Sequence, residues 1–293
     1  SIEDCGLMKG FEAGKAVAIG ETNVPVRRIL GRNPSAMTGP GTNSYLIGKD
    51  KLCLLDPGPR DDAQFDSFMD AIGDSTLEYI LVTHTHGDHS PGALKLKEAT
   101  GAVLVGLPAP LPTGHDQSFQ PDRQWCHGDV VETDEYSIRL IHTPGHVSNH
   151  ICFFLQEEEL LFTGDHVLQG TTSVILPPDG DMAAYLGSLK ELQSLSLRYF
   201  APGHGDLMDQ PQLELEQLIA HRLKREKKIE DRLKLLGSCD LDRLVVSAYD
   251  DVADHLIPWA KRTMLAHLIK LQSEGAGSVD GELWQTTSGD PEV

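Results

Sequence analysis

The stretch Tyr79-Ile80-Leu81-Val82-Thr83-His84-Thr85-His86-Gly87-Asp88-His89-Ser90-Pro91-Gly92 decides how this chain is read. Its first five residues form a short apolar run of strand type, and Pro91-Gly92 suits the opening of a helix. Between them, three imidazoles and one carboxylate fall within six residues at a strand end. In 293 residues with 13 histidines, composition alone supplies such an HxHxDH hexamer only on the order of 10⁻³ times, so the pattern needs a chemical reason. Imidazole nitrogen and carboxylate oxygen are ligands that Zn²⁺ and its neighbours prefer, and four of them exceed what one ion gathers from one turn. Two ions are expected. His84 and His86 project to the same side of an extended segment at period two, while Asp88 and His89 turn toward a second ion.

Each ion then needs ligands from elsewhere. Three Gly-flanked turns offer them: Thr143-Pro144-Gly145-His146, Thr163-Gly164-Asp165 and Ala201-Pro202-Gly203-His204-Gly205. One such histidine alone is more often structural than metal-binding, but glycine lets backbone crowd near an ion, and the recurrence after three apolar stretches reverses the odds. Assembled, His84, His86 and His146 hold one metal, Asp88, His89 and His204 the other, and Asp165 bridges both. A pair about 3.5 to 4 Å apart with open positions lowers the pKa of a shared water toward ~7 and supplies a bridging hydroxide. The expectation is a dinuclear metal-dependent hydrolase in which Asp88 orients or deprotonates the water. The ions are expected to be two Zn²⁺ per chain, although such donor sets also accept iron or manganese.

Working outward, short apolar runs ended by Gly, Pro or Asp predict strands at 44–48, 52–55, 79–83, 102–105, 130–131, 137–141, 151–155 and 160–162. Helical patterns occupy 61–72, 91–99 and 181–195. Strands that outnumber and interleave with helices predict a layered α/β arrangement. From Gln212 the periodicity becomes long and helical, with Leu215, Ile219 and Leu223 as its apolar stripe, which puts a boundary near residue 210 and gives two domains, 1–210 and 211–293. Residues 222–234 carry seven basic side chains against three acidic ones, a solvated helix face or a local track for nucleic acid. Two helical segments, 241–249 and 258–274, precede Gly275-Ala276-Gly277 and a short strand at 282–285. That is a winged-helix order, and it equally suits a helical cap that packs on the main domain or makes a homodimer contact. The end from Thr286 is expected to fray.

Composition narrows the partners. Lys+Arg 25 against Asp+Glu 44 gives a net charge of −19, which opposes whole-surface clamping of nucleic acid and restricts any such contact to a local patch. No run approaches the roughly 18 apolar residues that span a bilayer. Cys5, Cys53, Cys126, Cys152 and Cys239 are odd in number and lack CxxC spacing, so they read as reduced thiols. Residues 1–10 lack the basic and apolar regions of a secretory signal, and the cytoplasm is the expected compartment.

The order of Asp56, the hexamer, His146, Asp165 and His204 resembles the metallo-β-lactamase superfamily over about residues 24–210. The resemblance implies an αββα sandwich, here with a small C-terminal winged-helix-like domain, and the same seven ligands. It also implies that Asp56, in Leu54-Leu55-Asp56-Pro57-Gly58, orients the hexamer loop. Gly41-Thr42-Asn43-Ser44-Tyr45-Leu46, the run from Gly164 to Thr172, and His221-Arg222-Leu223-Lys224-Arg225-Glu226 resemble the branch containing lactamase-beta-like protein 2. That branch implies endoribonuclease action on single-stranded RNA. Glyoxalase II shares the ligands and implies a thioester substrate instead, although its glutathione-binding Arg and Lys pattern is matched poorly here. A non-catalytic metal-containing interaction protein is the remaining alternative, opposed by an intact ligand set.

Overall fold

The structure is a computed structural model that describes residues 12–287; Cys5, residues 1–10 and the end from 288 lie outside the described residues. Residues 12–143, 149–173 and 194–212 form one body, and Pro144–Ser148, Val174–Gln193 and 213–287 a second.

Period-two alternation builds the first body. Strands β1 (Ala16–Ala18), β2 (Val26–Leu30), β3 (Asn43–Ile47) and β4 (Lys51–Leu55) run antiparallel, and β5 (Thr76–Leu81) and β6 (Val103–Val105) continue the sheet in parallel. The helices α1 (Asp62–Ile72) and α2 (Ala93–Thr100) connect the parallel members. A second sheet, from β7 (Val130–Glu132), β8 (Ser137–His142), β9 (Ile151–Leu155), β10 (Leu160–Gly164) and β11 (Tyr199–Pro202), is ordered β11-β10-β9-β8-β7. Tyr45, Ile47, Cys53, Leu55 and Leu81 pack against Ile138, Leu140, Ile151, Phe153 and Phe162 between the sheets. Their alternates Leu46, Leu52, Leu54, Ile80 and Val82 pack on Phe68, Ile72, Ala93 and Leu96 of α1 and α2. Burial on both faces is why these strands read as unbroken apolar runs.

The eight strands expected from sequence are present as β3 to β10. Two of those it missed, β2 and β11, have identifiable causes. In Val26-Arg27-Arg28-Ile29-Leu30 two arginines break the apolar run, yet Arg28 is buried and pairs with Asp206 at 3.0 Å. β11 has four residues and ends on Pro202, which looks like a turn. Helix α1 starts where the pattern places it, because Asp61 Oδ1 accepts the Gln64 N–H at 2.6 Å and caps it.

The second body holds α3 (Met182–Leu192), most of α4 (Pro211–Leu236), α5 (Leu241–Ala248) and α6 (Ile257–Ser273), then the hairpin β12 (Gly277–Asp280) and β13 (Leu283–Thr286). Ile229 and Leu233 of α4 pack with Leu244, Val245, Met264, Leu268 and Trp284, and Trp284 also exchanges backbone hydrogen bonds with Cys239. Helix, helix and hairpin are the winged-helix elements. Thr286, where fraying was expected, pairs with Gly277 instead. The expected stripe on α4 is also corrected: Leu223 is exposed, and the buried line runs through Leu215, Leu218, Arg222, Glu226, Ile229 and Leu233. Two ionic residues hid it from a hydrophobicity pattern.

The basic run on α4 carries its own countercharges. Arg225 and Lys228 pair with Asp251, Lys228 and Arg232 with Asp250, and Lys227 and Lys234 with Glu230. Among the described residues, no helix is long and apolar enough to cross a membrane. Cys53, Cys126, Cys152 and Cys239 are free thiols.

Two tests follow from this packing. Phe162 is fully buried between the sheets, 5.1 Å from the Tyr45 ring. Phe162→Ala should cost about 3–5 kcal/mol of stability in chemical denaturation, and an unchanged midpoint would contradict the core described. The second concerns acid. His267 is fully buried with Nδ1 3.0 Å from Glu226 Oε2, while Lys270 Nζ donates to Glu226 Oε1 at 2.6 Å. Burial holds the His267 imidazole below its ordinary value of 6.5. The Glu226 carboxyl, despite burial, is held low by His267 and Lys270. The unfolded chain therefore binds more protons than the folded one as pH falls below about 6.5, and stability declines in that direction. The thermal midpoint should drop between about pH 7 and 5, and His267→Gln should flatten that drop; identical pH profiles would refute it.

Candidate metal centre

Four turns that build the site follow strand ends of the first body: Asp56 after β4, the hexamer after β5, Asp165 after β10 and His204 after β11. Asp56 is fully buried, with φ of 49°. Its Oδ1 accepts the Thr83 N–H at 2.8 Å, and its Oδ2 accepts Thr83 Oγ1 at 2.7 Å and lies 2.9 Å from His89 Nδ1. A buried carboxylate must be hydrogen-bonded, and these bonds spend that need on the start of the hexamer and on one of its rings. Because Asp56 accepts the His89 Nδ1–H, Nε2 is the nitrogen left for an ion. The same logic runs through His84, whose Nδ1 lies 3.0 Å from Thr83 Oγ1, and His204, whose Nδ1 lies 3.3 Å from the Gly41 carbonyl.

Two donor sets result. The ligand atoms of Asp88, His89, Asp165 and His204 lie within 4.8 Å of one another, and so do those of His84, His86 and Asp165. Asp165 belongs to both: Oδ1 is 3.2 Å from His89 Nε2 and 3.4 Å from His204 Nε2, whereas Oδ2 is 4.0 Å from His84 Nε2. Asp88 Oδ2 is 3.2 Å from His204 Nε2 and 3.5 Å from His89 Nε2. Tetrahedral ligands about 2.0–2.1 Å from an ion stand about 3.3 Å apart, so these separations fit a divalent cation. The buried His89 Nε2 meets Asp165 and Asp88 at 3.2 and 3.5 Å but outside hydrogen-bond geometry, which suits a nitrogen placed for an ion between them. His146 lies in the second body, with Nδ1 2.5 Å from the Val174 carbonyl, again leaving Nε2 as the lone-pair nitrogen.

The electrostatics agree with a cationic guest. Burial works to raise the Asp88 carboxyl, but His89 and His204 overcome it and hold Asp88 well below the carboxylate range. Burial works to lower His89, and Asp88, Asp165 and Asp56 outweigh it, so this imidazole favours positive charge; His204 is raised against burial by Asp165 and Asp88. A cluster that draws protons this strongly also draws a metal ion.

Backbone crowding explains the glycines. A Cβ on Gly203 would sit 2.9 Å from both Asp165 Oδ1 and His89 Cε1, and one on Gly164, at φ of 48°, would sit 2.7 Å from His150 Nε2 and Thr83 Oγ1. The Gly41-Thr42-Asn43-Ser44-Tyr45 motif acquires a physical role too. Asn43 Nδ2 donates to the carbonyls of Pro202 and Gly205, and Tyr45 Oη donates to Pro202 O at 2.7 Å, which fixes the turn that carries His204. His150, a packing or supporting residue by sequence, accepts the Asp165 N–H at Nε2 (3.2 Å) and joins Thr143 Oγ1 at 2.8 Å. His115 and Asp116 were not singled out by sequence at all, yet they reach the hexamer. They sit in a Gly- and Pro-rich loop with no spacing relation to it, so no local signal marks them.

Asp56→Asn tests the anchoring role. Its amide cannot serve all three donors as a carboxylate does, so zinc affinity of the Asp88, His89 and His204 set should fall roughly 10–100-fold in a competition titration. Unaltered affinity would show that Asp56 does not govern His89.

Residues 37–204 match the Metallo-beta-lactamase superfamily, and residues 241–284 match the beta-lactamase associated winged helix domain. The chain is 33% identical over 253 residues to the Beta-lactamase-like protein 2 homolog of Caenorhabditis elegans, covering 84% of this chain and 82% of that protein. It is 34% identical over 212 residues to an atrochrysone carboxyl ACP thioesterase of Aspergillus fumigatus, covering 70% of this chain and 63% of that one, so less than two thirds of the thioesterase is spanned. In fold it is similar to a beta-lactamase domain protein from Burkholderia ambifaria, with a TM-score of 0.80 at 19% identity over 94% of this chain and 95% of that one. The chain therefore belongs to the metallo-β-lactamase superfamily, as a hydrolase of that fold with a C-terminal winged-helix domain.

Proposed function

We propose that the centre is dinuclear and that the chain hydrolyses acyl thioesters or esters. In this reading His84, His86 and His146 hold one ion, Asp88, His89 and His204 the other, and Asp165 bridges them. Along the sequence the hydrolase part is taken as 1–210 and the C-terminal part as 211–293, although 144–148 and 174–193 group with the second body. The supporting observation is the opposed orientation of the Asp165 oxygens, Oδ1 toward His89 and His204 and Oδ2 toward His84. Bound zinc, iron or manganese would supply Lewis-acid activation of water near neutral pH.

The chain's own groups do the rest. Asp88 keeps its carboxylate ionised and partly exposed, so it can orient a water by accepting its hydrogen bond. Asp56 and Gly41 hold the His89 and His204 rings so that no reorganisation is needed during turnover. His150 holds the backbone of Asp165.

Charge supports this reading over a polyanionic substrate. A net charge of −19 and a basic run already paired with Asp250, Asp251 and Glu230 leave little to attract a polyanion. A relative named as a thioesterase points the same way. Single-stranded RNA is the second reading, favoured by Trp259, 45% exposed on α6 with the Arg262 guanidinium 5.9 Å from its ring, which could stack a base.

One panel decides between them: aryl and acyl-pantetheine thioesters, simple esters and a labelled single-stranded RNA, each with wild type and His84→Ala. Thioester or ester turnover that falls about 100-fold or more in His84→Ala is expected, since even outer partners of a ligand are worth 10–100-fold. Loss confined to RNA cleavage would move the assignment to the second reading. Equal rates for the two proteins on every substrate would end the hydrolytic reading.

A further inference from the structure

Thr85 stands between the first two histidines of the hexamer and presents no ligand, yet both its polar groups are engaged. Oγ1 accepts from Asn149 Nδ2 at 2.9 Å and lies 2.9 Å from His115 Nδ1, and the Thr85 carbonyl accepts the Asp116 N–H at 2.6 Å. Asp116 also reaches the residue after the hexamer, where Ser90 Oγ donates to its Oδ2 at 2.8 Å. Its Oδ1 accepts Ser118 N and Oγ at 2.9 and 2.6 Å, which folds the loop onto itself. Two adjacent loop residues therefore clasp the hexamer in its middle and just past its end.

The His115 ring lies stacked on His86, with centroids 5.1 Å apart and planes 27° from parallel. His86 differs from its companions. His84, His89 and His204 are each set in rotation by a bond at Nδ1, which aims Nε2 into the centre. His86 turns Nδ1 itself inward, 3.0 Å from His84 Nε2, so that device is not open to it. It is also only half-buried, while His84, His89 and His204 are buried. The stacked His115 face supplies an orienting contact that does not use Nδ1.

We propose that His115 is the positioning residue for His86. Thr85 Oγ1, itself fixed by the Asn149 amide, bonds His115 Nδ1 and holds that ring; the held face then keeps His86 in the orientation that presents Nδ1. Affinity of the His84 and His86 set rises because the ring is ordered before an ion arrives. The inference rests on the metal reading above, but it concerns a residue outside both donor sets.

Cobalt(II) titration of the full chain reads it without any substrate, through affinity and the visible d–d bands. His115→Ala should weaken one of two cobalt equivalents about 10-fold and alter its bands, with the other equivalent unchanged. His115→Phe keeps a flat face and should recover most of that affinity, whereas Thr85→Val, which frees the His115 ring, should weaken the same equivalent. Identical affinities and spectra for wild type and His115→Ala would overturn the proposal alone. So would a Phe variant as weak as the Ala variant. A wild-type chain that takes up no cobalt would overturn the metal reading and this inference together, a result distinguishable because no variant then has anything to lose.

Discussion

The buried carboxylate of Asp56 is the constraint on which the centre depends. It sits beyond the end of β4 and takes both polar groups of Thr83 at the end of β5, so two parallel neighbours are joined beyond the last rung of their ladder. Through the same oxygen it selects the tautomer of His89, and through Thr83 it selects that of His84. A group with no access to solvent and several donors around it has one low-energy arrangement. One residue thus converts a strand pairing into an orientation of two imidazoles.

The other half of the centre comes from the second sheet and is attached by the first. Asn43 and Tyr45 of β3 hold the carbonyls of the His204 turn, and Arg28 of β2 pairs with Asp206 just beyond it. These polar bonds run along the seam above an apolar interior, where Tyr45 contributes its ring to the packing and its hydroxyl to the site. Folding the sandwich and gathering the ligands are one event rather than two. The glycines at 164 and 203 complete it by removing the side chains that would hold the turns apart.

What was legible in the sequence follows from how local the signal is. The hexamer, the three glycine turns and the apolar strands advertise themselves within a few residues. Arg28 hid β2 and Arg222 with Glu226 hid the true buried line of α4, because a periodicity argument counts charge as solvent-facing and these charges are buried in ion pairs or beside rings. The motif at 41–46 was visible only as a resemblance, since its meaning is a set of contacts some 160 residues away. His115 meets the hexamer through tertiary contact alone, and no spacing rule reaches it.

Ligands delivered beyond β5, β10 and β11, with Asp56 beyond β4 holding one of them, carry a consequence for the lifetime of the protein. A cation that binds only when all four strand ends are in place adds its binding free energy to that of the sandwich, by RT ln(1 + [L]/Kd), about 4 kcal/mol at a thousandfold excess over Kd. Metal supply and resistance to proteolysis are thereby coupled. A cell short of the ion would lose the protein to turnover as well as its activity.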